Sequence, residues 1–432
     1  HIAGGEGHHA SVAAGHGRHA GGGNGQPFQQ ALAAVLAHGL GDRALWEPDE
    51  GRYSEIPREM VVTGDYVTPR INGVKYFEKP PLFYWAQAGA IQVLGLNEWA
   101  LRLWPALFAL FGVLTVYVAG RQLFDRRTGL LAASVLATSL LYFYLGRTIT
   151  LDMAVAVLLS AGLLAFLLGT RAAPGPRRRR LMWTFYVCAA LATLTKGLIG
   201  IVIPVIIIGA WMLLLHNWRV LKQMYLPSGL ALFLMITAPW HLLVSVTNPE
   251  FANFYFIQEH LLRFTIKPDH RYEPMWFYLP VLLVGWLPWV AFLGQALRFN
   301  LPSSWAARQE HSETLFLNLW AGLVFVFFSL ADSKLWPFIL PMFPPVALLL
   351  GRYFAHAWGN NKLRGLRTGY WAVLGLGIAL AAILSGGPRP GVGFAQAVEY
   401  DEVLGFYLYA GAAIAALGGI ISFLLGMARF RL

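Results

Sequence analysis

"ITLDMAVAVLLSAGLLAFLLGTRAAPGPRRRR" (Ile149–Arg180) decides the fold class. Its apolar run over 149–169 is interrupted only near its head, by Asp152, and is followed by a short loop dense in arginine. About twenty apolar residues in helical conformation cross a hydrocarbon core of about 30 Å. A basic loop directly after such a run marks the cytoplasmic side. Similar runs occur at 98–120, 129–146, 181–195, 197–215, 226–246, 276–297, 313–331, 335–355, 368–385 and 403–427, with a shorter, interrupted one within 27–45. The expected fold is therefore an all-α polytopic membrane protein of 11 to 12 transmembrane helices.

Composition agrees. Of 432 residues, 57% are hydrophobic and only 13% charged, and the mean hydropathy is +0.53. A soluble domain carries roughly 25% charged residues. In a soluble protein the net charge of +11 would point to nucleic acid. Here short basic loops account for much of it, and no nucleic-acid partner is expected. The single cysteine, Cys188, sits inside an apolar run and supports neither a disulfide framework nor a thiolate metal site.

Segments 121–129, 171–180, 217–222 and 360–367 are short and basic, and they fall at every second connection. All four belong to the cytoplasm, and the final "RFRL" follows them there. The other face receives 46–97, the turn 146–152, the turn at Lys196, the loop 248–275 and "ADSK" (Ala331–Lys334). Asp49, Glu50, Arg52, Glu78, Lys79, Asp152, Lys196, Glu259, His260, Arg263 and Lys334 all lie on that face. Ionisable groups at membrane segments are costly and mark functional sites. Their convergence predicts one outer-face site.

The expected organisation is a Gly/His-rich disordered lead-in (1–26), a weak first transmembrane segment (27–45), an outer-face juxtamembrane catalytic loop (46–97), a transmembrane core (98–247), an outer-face loop (248–275) and C-terminal transmembrane helices (276–432). Five lead-in histidines (His1, His8, His9, His16 and His19) could gather a metal. A disordered tract is the better reading.

Within the catalytic loop, "EPDEGRYSEIPREM" (Glu47–Met60) places Pro48 and acids where a first helical turn favours them. Tyr53, Ile56 and Met60 form an apolar stripe opposite Arg52, Glu55 and Glu59, predicting an amphipathic interfacial helix that Pro57 kinks or limits. In "YFEKPPLFYW" (Tyr76–Trp85) the two prolines start a second helix, so Glu78 and Lys79 stand just ahead of its N-terminus. Free N–H groups there, together with Lys79, favour a phosphate. The alternative for either helix is an ordinary interfacial anchor with its charges in water.

These motifs, followed in order by "RTITLDM", "LTKGLIG", "QEHLLRF" and "DSKLWPFILPMFPPVALLLG", resemble the GT-C lipid-linked glycosyltransferases. The chain most resembles the aminoarabinose transferase family that modifies lipid A, over about residues 45–355. Protein O-mannosyltransferases are similar more distantly. The resemblance implies a multi-pass protein of the bacterial inner membrane, working on its periplasmic face and linked to polymyxin resistance. It implies a donor of 4-amino-4-deoxy-L-arabinose on undecaprenyl phosphate and an acceptor phosphate on lipid A. It also implies that Asp49 is the essential catalytic acid and Asp152 the second acidic motif, although an acid at a helix head is favoured by the dipole anyway. A divalent metal such as zinc is implied near the donor phosphate, with Glu78 as carboxylate ligand and His260 as candidate imidazole. Arg52, Lys79, Lys196 and Arg263 are then the expected phosphate clamp, with Arg102 and Arg147 as alternatives. Tyr53, Tyr76 and Tyr84 could line the donor site, and Lys334 is expected to pair with Asp332.

The rival class is a lipid transporter or flippase, which places charges at the bilayer midplane in broken helices. Clustering at one interface favours the enzyme. Related enzymes often carry a further C-terminal soluble domain; this sequence stops at Leu432, and its catalytic face is expected to be whole without one.

Overall fold

In the computed structural model, residues 39–46, 48–262, 273–302, 304 and 306–359 are described, with the single positions 369 and 375. The lead-in, most of the weak first segment, Glu47, Arg263, the side chain of His260, the expected span 403–427 and all but those two positions of the expected span 368–385 lie outside the described residues.

The outer-face loop forms a small unit. Helix α1 (Asp49–Thr63) is followed by a two-stranded antiparallel hairpin, β1 (Arg70–Ile71) and β2 (Val74–Lys75), and by α2 (Leu82–Leu94). The helix passes through Pro57 and stops at Gly64, whose left-handed φ of 72° only glycine adopts freely. The proline therefore does not limit the helix: Ile56, Pro57 and Met60 are all buried, and that packing holds the segment. Glu59 is also buried rather than on a wet face, because its carboxylate accepts the Gly73 amide at 3.0 and 3.2 Å and holds the hairpin tip.

The bundle follows as α3 (Glu98–Leu123), α4 (Arg126–Thr138), α5 (Leu140–Leu145), α6 (Leu151–Arg171), α7 (Pro176–Lys196), α8 (Ile199–Leu215), α9 (Val220–Gln223) and α10 (Leu226–Thr247). After the π-helical segment Asn253–Leu262 come α11 (Tyr278–Gly285), the short 3-10 turn Trp289–Phe292 and α12 (Leu293–Asn300). Helices α13 (Ser312–Leu330) and α14 (Phe343–Gly359), the latter preceded by a 3-10 segment Trp336–Met342, complete it. Helix α6 is the axis of the core: 89% of its apolar window is buried, against 22% for α10, which turns its leucines outward. An apolar face presented to the outside suits lipid.

Among the described residues, five helices are long and apolar enough to cross a membrane, and six if the bent pair 278–285 and 289–300 counts as one span. Four expected spans differ from a simple crossing. Arginines in its first turn and Lys196 at its end make α7 too charged to qualify, and α8 is short, at 17 residues. The run 129–146 is broken at Ser139, whose ψ of 126° is extended. The run 276–297 bends by 106°. The last two breaks repair each other: the Leu140 amide donates to the Leu287 carbonyl at 3.1 Å, and Trp289 Nε1 donates to Thr138 Oγ1 at 2.9 Å. Broken helices persist in an apolar medium only when such freed groups find partners.

A separate apolar cluster (Ile56, Met60, Tyr76, Phe83, Tyr84, Ile91, Leu101, Ile149, Leu151 and Ala154) fastens the outer unit to the heads of α3 and α6. Tryptophans finish the attachment. Trp85 Nε1 donates to the Tyr66 carbonyl at 2.8 Å, and Trp240 Nε1 on α10 to that of Val67 at 3.0 Å.

Candidate active site

Asp49 opens α1 and is exposed, while Arg52 and Tyr53 follow one turn later on the same side of the helix. The Tyr53 ring stacks on Tyr84 of α2 with centroids 6.3 Å apart. The hydroxyl of Tyr76 donates to Glu78 Oε2 at 3.1 Å. Burial holds the phenols of Tyr53, Tyr76 and Tyr84 protonated, far above the usual tyrosine range, and neighbouring acids push the same way. Tyr53 lies within electrostatic reach of Asp152 and Asp49, the acids in the first turns of α6 and α1.

Arg52 is the distinctive cation here. Among the described residues it makes no hydrogen bond or ion pair, yet Tyr76, Tyr53, Asp49 and Glu78 surround it. Burial alone would lower its pKa; those neighbours outweigh it and raise it. A charged guanidinium without a direct partner suits an arriving anion.

Two of the other expected cations already hold carboxylates. Lys79 Nζ lies 2.6 Å from Glu259 Oε1 and donates to the Glu78 carbonyl at 2.9 Å. Lys196, the last residue of α7, pairs with Asp152 in the first turn of α6, and its ammonium sits 4.2 Å from the Phe338 ring centroid. Asp152 is thus more than a dipole-favoured acid, and Lys196 reaches it rather than solvent.

Three expectations are corrected. Arg102 is no phosphate ligand: it is fully buried and bound to Glu50 and to three backbone carbonyls. Glu50 leaves the site for the same reason. Burial pushes its carboxyl up, but Arg102 and the Trp46 and Ile149 amides outweigh that and hold it below its ordinary 4.5. Lys334 is 5% exposed and donates to the Glu273 carbonyl at 2.8 Å rather than pairing with Asp332. Arg147 lies 5.4 Å from the Phe143 ring, and its carbonyl accepts from Arg43.

Arg52 therefore lies within electrostatic reach of Tyr53, Tyr76, Asp49 and Glu78, and Tyr53 also of Asp152, while Lys79 and Lys196 each stand beside a carboxylate. Sequence reasoning assigned no role to Glu259 as the Lys79 partner or to Phe338 beneath Lys196. Nothing local signals either contact, since the partners are 180 and 142 residues apart. It also passed over Asn72-Gly73, both at positive φ, which is a strong hairpin signal. Among the described residues no three of His, Cys, Asp and Glu gather as a metal site. Of the two expected metal ligands, only the Glu78 side chain is among the described residues.

The family described as Dolichyl-phosphate-mannose-protein mannosyltransferase matches residues 36–255. An undecaprenyl phosphate-alpha-4-amino-4-deoxy-L-arabinose arabinosyl transferase of Erwinia tasmaniensis is 34% identical over 345 residues, 79% of this chain and 61% of that protein. Its counterpart in Aeromonas salmonicida is 34% identical over 80% of this chain and 62% of its own length. The chain thus spans about three fifths of the length of these curated relatives. The crystal structure of ArnT from Cupriavidus metallidurans bound to undecaprenyl phosphate superimposes with a TM-score of 0.80 at 31% identity, covering 93% of this chain and 72% of that one.

Proposed function

The chain belongs to the dolichyl-phosphate-mannose-protein mannosyltransferase family and, within it, to the aminoarabinose transferases, and from that premise we propose that it transfers a sugar from undecaprenyl phosphate to a lipid A phosphate. The sugar is 4-amino-4-deoxy-L-arabinose, and transfer takes place on the periplasmic face of the inner membrane. The observation that carries this reading is Arg52: a half-buried guanidinium with no direct partner among the described residues, within electrostatic reach of the acids Asp49 and Glu78.

In the reaction the bond between the anomeric carbon and the donor phosphate oxygen breaks, and its electron pair leaves on undecaprenyl phosphate. An acceptor phosphate oxygen bonds to the same carbon, from the opposite face, as that group leaves. Negative charge grows on the departing phosphate, so cations fixed around it stabilise the transition state more than the ground state. Arg52 meets that phosphate directly, and Lys79 does so by turning from Glu259. Positive charge grows on the sugar, and Asp49 stabilises it. An acceptor phosphate is anionic near neutral pH and needs no base; a protein hydroxyl would need Asp49 to take its proton. Lys196 holds the Asp152 carboxylate in place near Tyr53. Direct displacement inverts the anomeric carbon. Glu78 and His260 remain the proposed ligand pair for a divalent cation such as zinc, which would supply further positive charge. Metal content of the purified parent and of Glu78→Gln checks this.

Mass spectrometry of lipid A tests the reading in a host that makes the donor but lacks its own transferase. The parent chain should add one aminopentose mass, and Asp49→Asn at matched membrane abundance should lower that product at least about 100-fold. If neither chain changes lipid A, the acceptor assignment fails, and glycosylated membrane proteins are the next place to look.

A further inference from the structure

We propose that Glu50 is a positioning residue for the transfer and that its buried ion pair with Arg102 fixes the Asp49 helix head against the segment that delivers Asp152. The proposal rests on the reading of Asp49 and Asp152 as carboxylates of the reacting site.

The pair is saturated. Glu50 Oε1 accepts from Arg102 Nε and from the Ile149 amide, both at 3.0 Å. Oε2 accepts from Arg102 Nη2 at 2.7 Å and from the Trp46 amide at 2.8 Å. Arg102 spends its other donors on backbone: Nη1 on the carbonyls of Leu40 at 2.9 Å and Arg43 at 2.8 Å, and Nη2 on that of Ala44 at 2.8 Å. A guanidinium has five N–H donors, and these five contacts use them all. Arg43 extends the node, donating to the Arg147 carbonyl at 2.7 Å. The side chains of Arg102 and Glu50 are 0% and 1% exposed.

Four stretches of chain therefore meet at one carboxylate: the approach 40–46, the head of α1, the head of α3 and the turn 147–150 that leads into α6. Asp49 is the residue before Glu50, and Asp152 comes three residues after Ile149. Replacing a buried ion pair with well-packed apolar residues is often neutral or stabilising, so net stability is a weak reason for this one. Its geometric effect is specific, because its hydrogen bonds tie together the two backbone segments that carry Asp49 and Asp152, both within electrostatic reach of Tyr53. Reacting groups displaced by about 1 Å lose roughly 100-fold in rate.

The test compares purified parent chain, Glu50→Gln, Arg102→Lys and Glu59→Gln. Glu59 is a second buried carboxylate of α1, but it holds only the hairpin tip. Initial rates with the undecaprenyl-phosphate-linked sugar and lipid A give kcat and donor KM. Hydrogen–deuterium exchange follows peptides covering 46–50, 70–75 and 147–152. Glu50→Gln should lower kcat about 10- to 100-fold, with donor KM within about threefold of parent. Arg102→Lys, the milder change, should move kcat the same way by less. Exchange should rise together at 46–50 and 147–152 in both variants. Glu59→Gln should loosen 70–75 and leave kcat within about twofold. Unchanged kcat in folded Glu50→Gln, or increased exchange confined to 46–50, overturns the proposal. If the parent transfers no sugar, the transferase reading fails, and the exchange data still decide whether Glu50 couples the two segments.

Discussion

Lys79 meets Glu259 at 2.6 Å, with both side chains mostly buried, so a lipid phosphate must compete with a carboxylate already in place. Removing that competitor while keeping its shape should help the donor bind. Glu259→Gln is expected to lower donor KM about fivefold, the equivalent of about 1 kcal/mol, whereas Lys79→Gln should raise it. Titration of the donor under initial-rate conditions separates the two, and a raised KM in Glu259→Gln would assign Glu259 to donor binding. Glu50 makes a different prediction, about pH. Its folded pKa lies below 4.5, so its contribution to stability is present above that value and is lost as pH falls through the folded pKa. The melting temperature of the parent should therefore hold from neutral pH down to about 4.5 and then fall, with a shallower acid limb in Glu50→Gln. Residue types told only part of this. Asp49, Arg52 and Asp152 could be picked out because an ion at a membrane edge needs a reason. Glu50 looked identical to Asp49 in the sequence, and only a contact 52 residues away reveals that it faces inward.

Elements were legible where periodicity is long and unbroken. Helix α6 lies within two residues of its expected bounds at either end, because twenty apolar residues leave little else to form. The break at Ser139 was not legible: its carriers are a carbonyl and an indole from another span, and hydropathy has no access to either. Close helix contact was hidden as well. A Cβ on Gly129 of α4 would stand 2.6 Å from the Tyr117 carbonyl and 2.8 Å from the Arg121 amide of α3. Small residues let helix backbones approach in this way. Gly129→Val is accordingly expected to destabilise the bundle by about 1–3 kcal/mol. Gly322→Ala, at a position with open space around it, serves as the control. Thermal unfolding of the detergent-solubilised proteins distinguishes them, and equal melting temperatures would refute the close-contact argument.

Across the whole molecule, charge separates by end. Arg177 bonds to Gln122 at 2.9 Å and Arg171 to the Leu123 carbonyl at 2.8 Å, which brings the loops after α3 and α6 together at one end of the bundle. Exposed Arg121, Arg126, Arg127, Arg179 and Arg180 sit on the helix ends that flank those loops. At the other end stand the carboxylates, phenols and cations of the site. An excess of basic residues in short loops orients a membrane protein with that end in the cytoplasm. On the proposed function the site then faces outward, within reach of both an undecaprenyl-linked donor and lipid A. The lone buried cysteine makes this testable, since Cys188→Ser yields a background free of thiols. Single cysteines are then placed at Asn72, on the exposed hairpin tip, and at Arg127. In cells with only the outer membrane permeabilised, an impermeant maleimide should label Asn72→Cys and should reach Arg127→Cys only once the inner membrane is opened. The opposite pattern would put Asp49 and Arg52 in the cytoplasm, out of reach of an outer-leaflet acceptor. Lipid A transfer would then fall even if every residue of the site were placed as described.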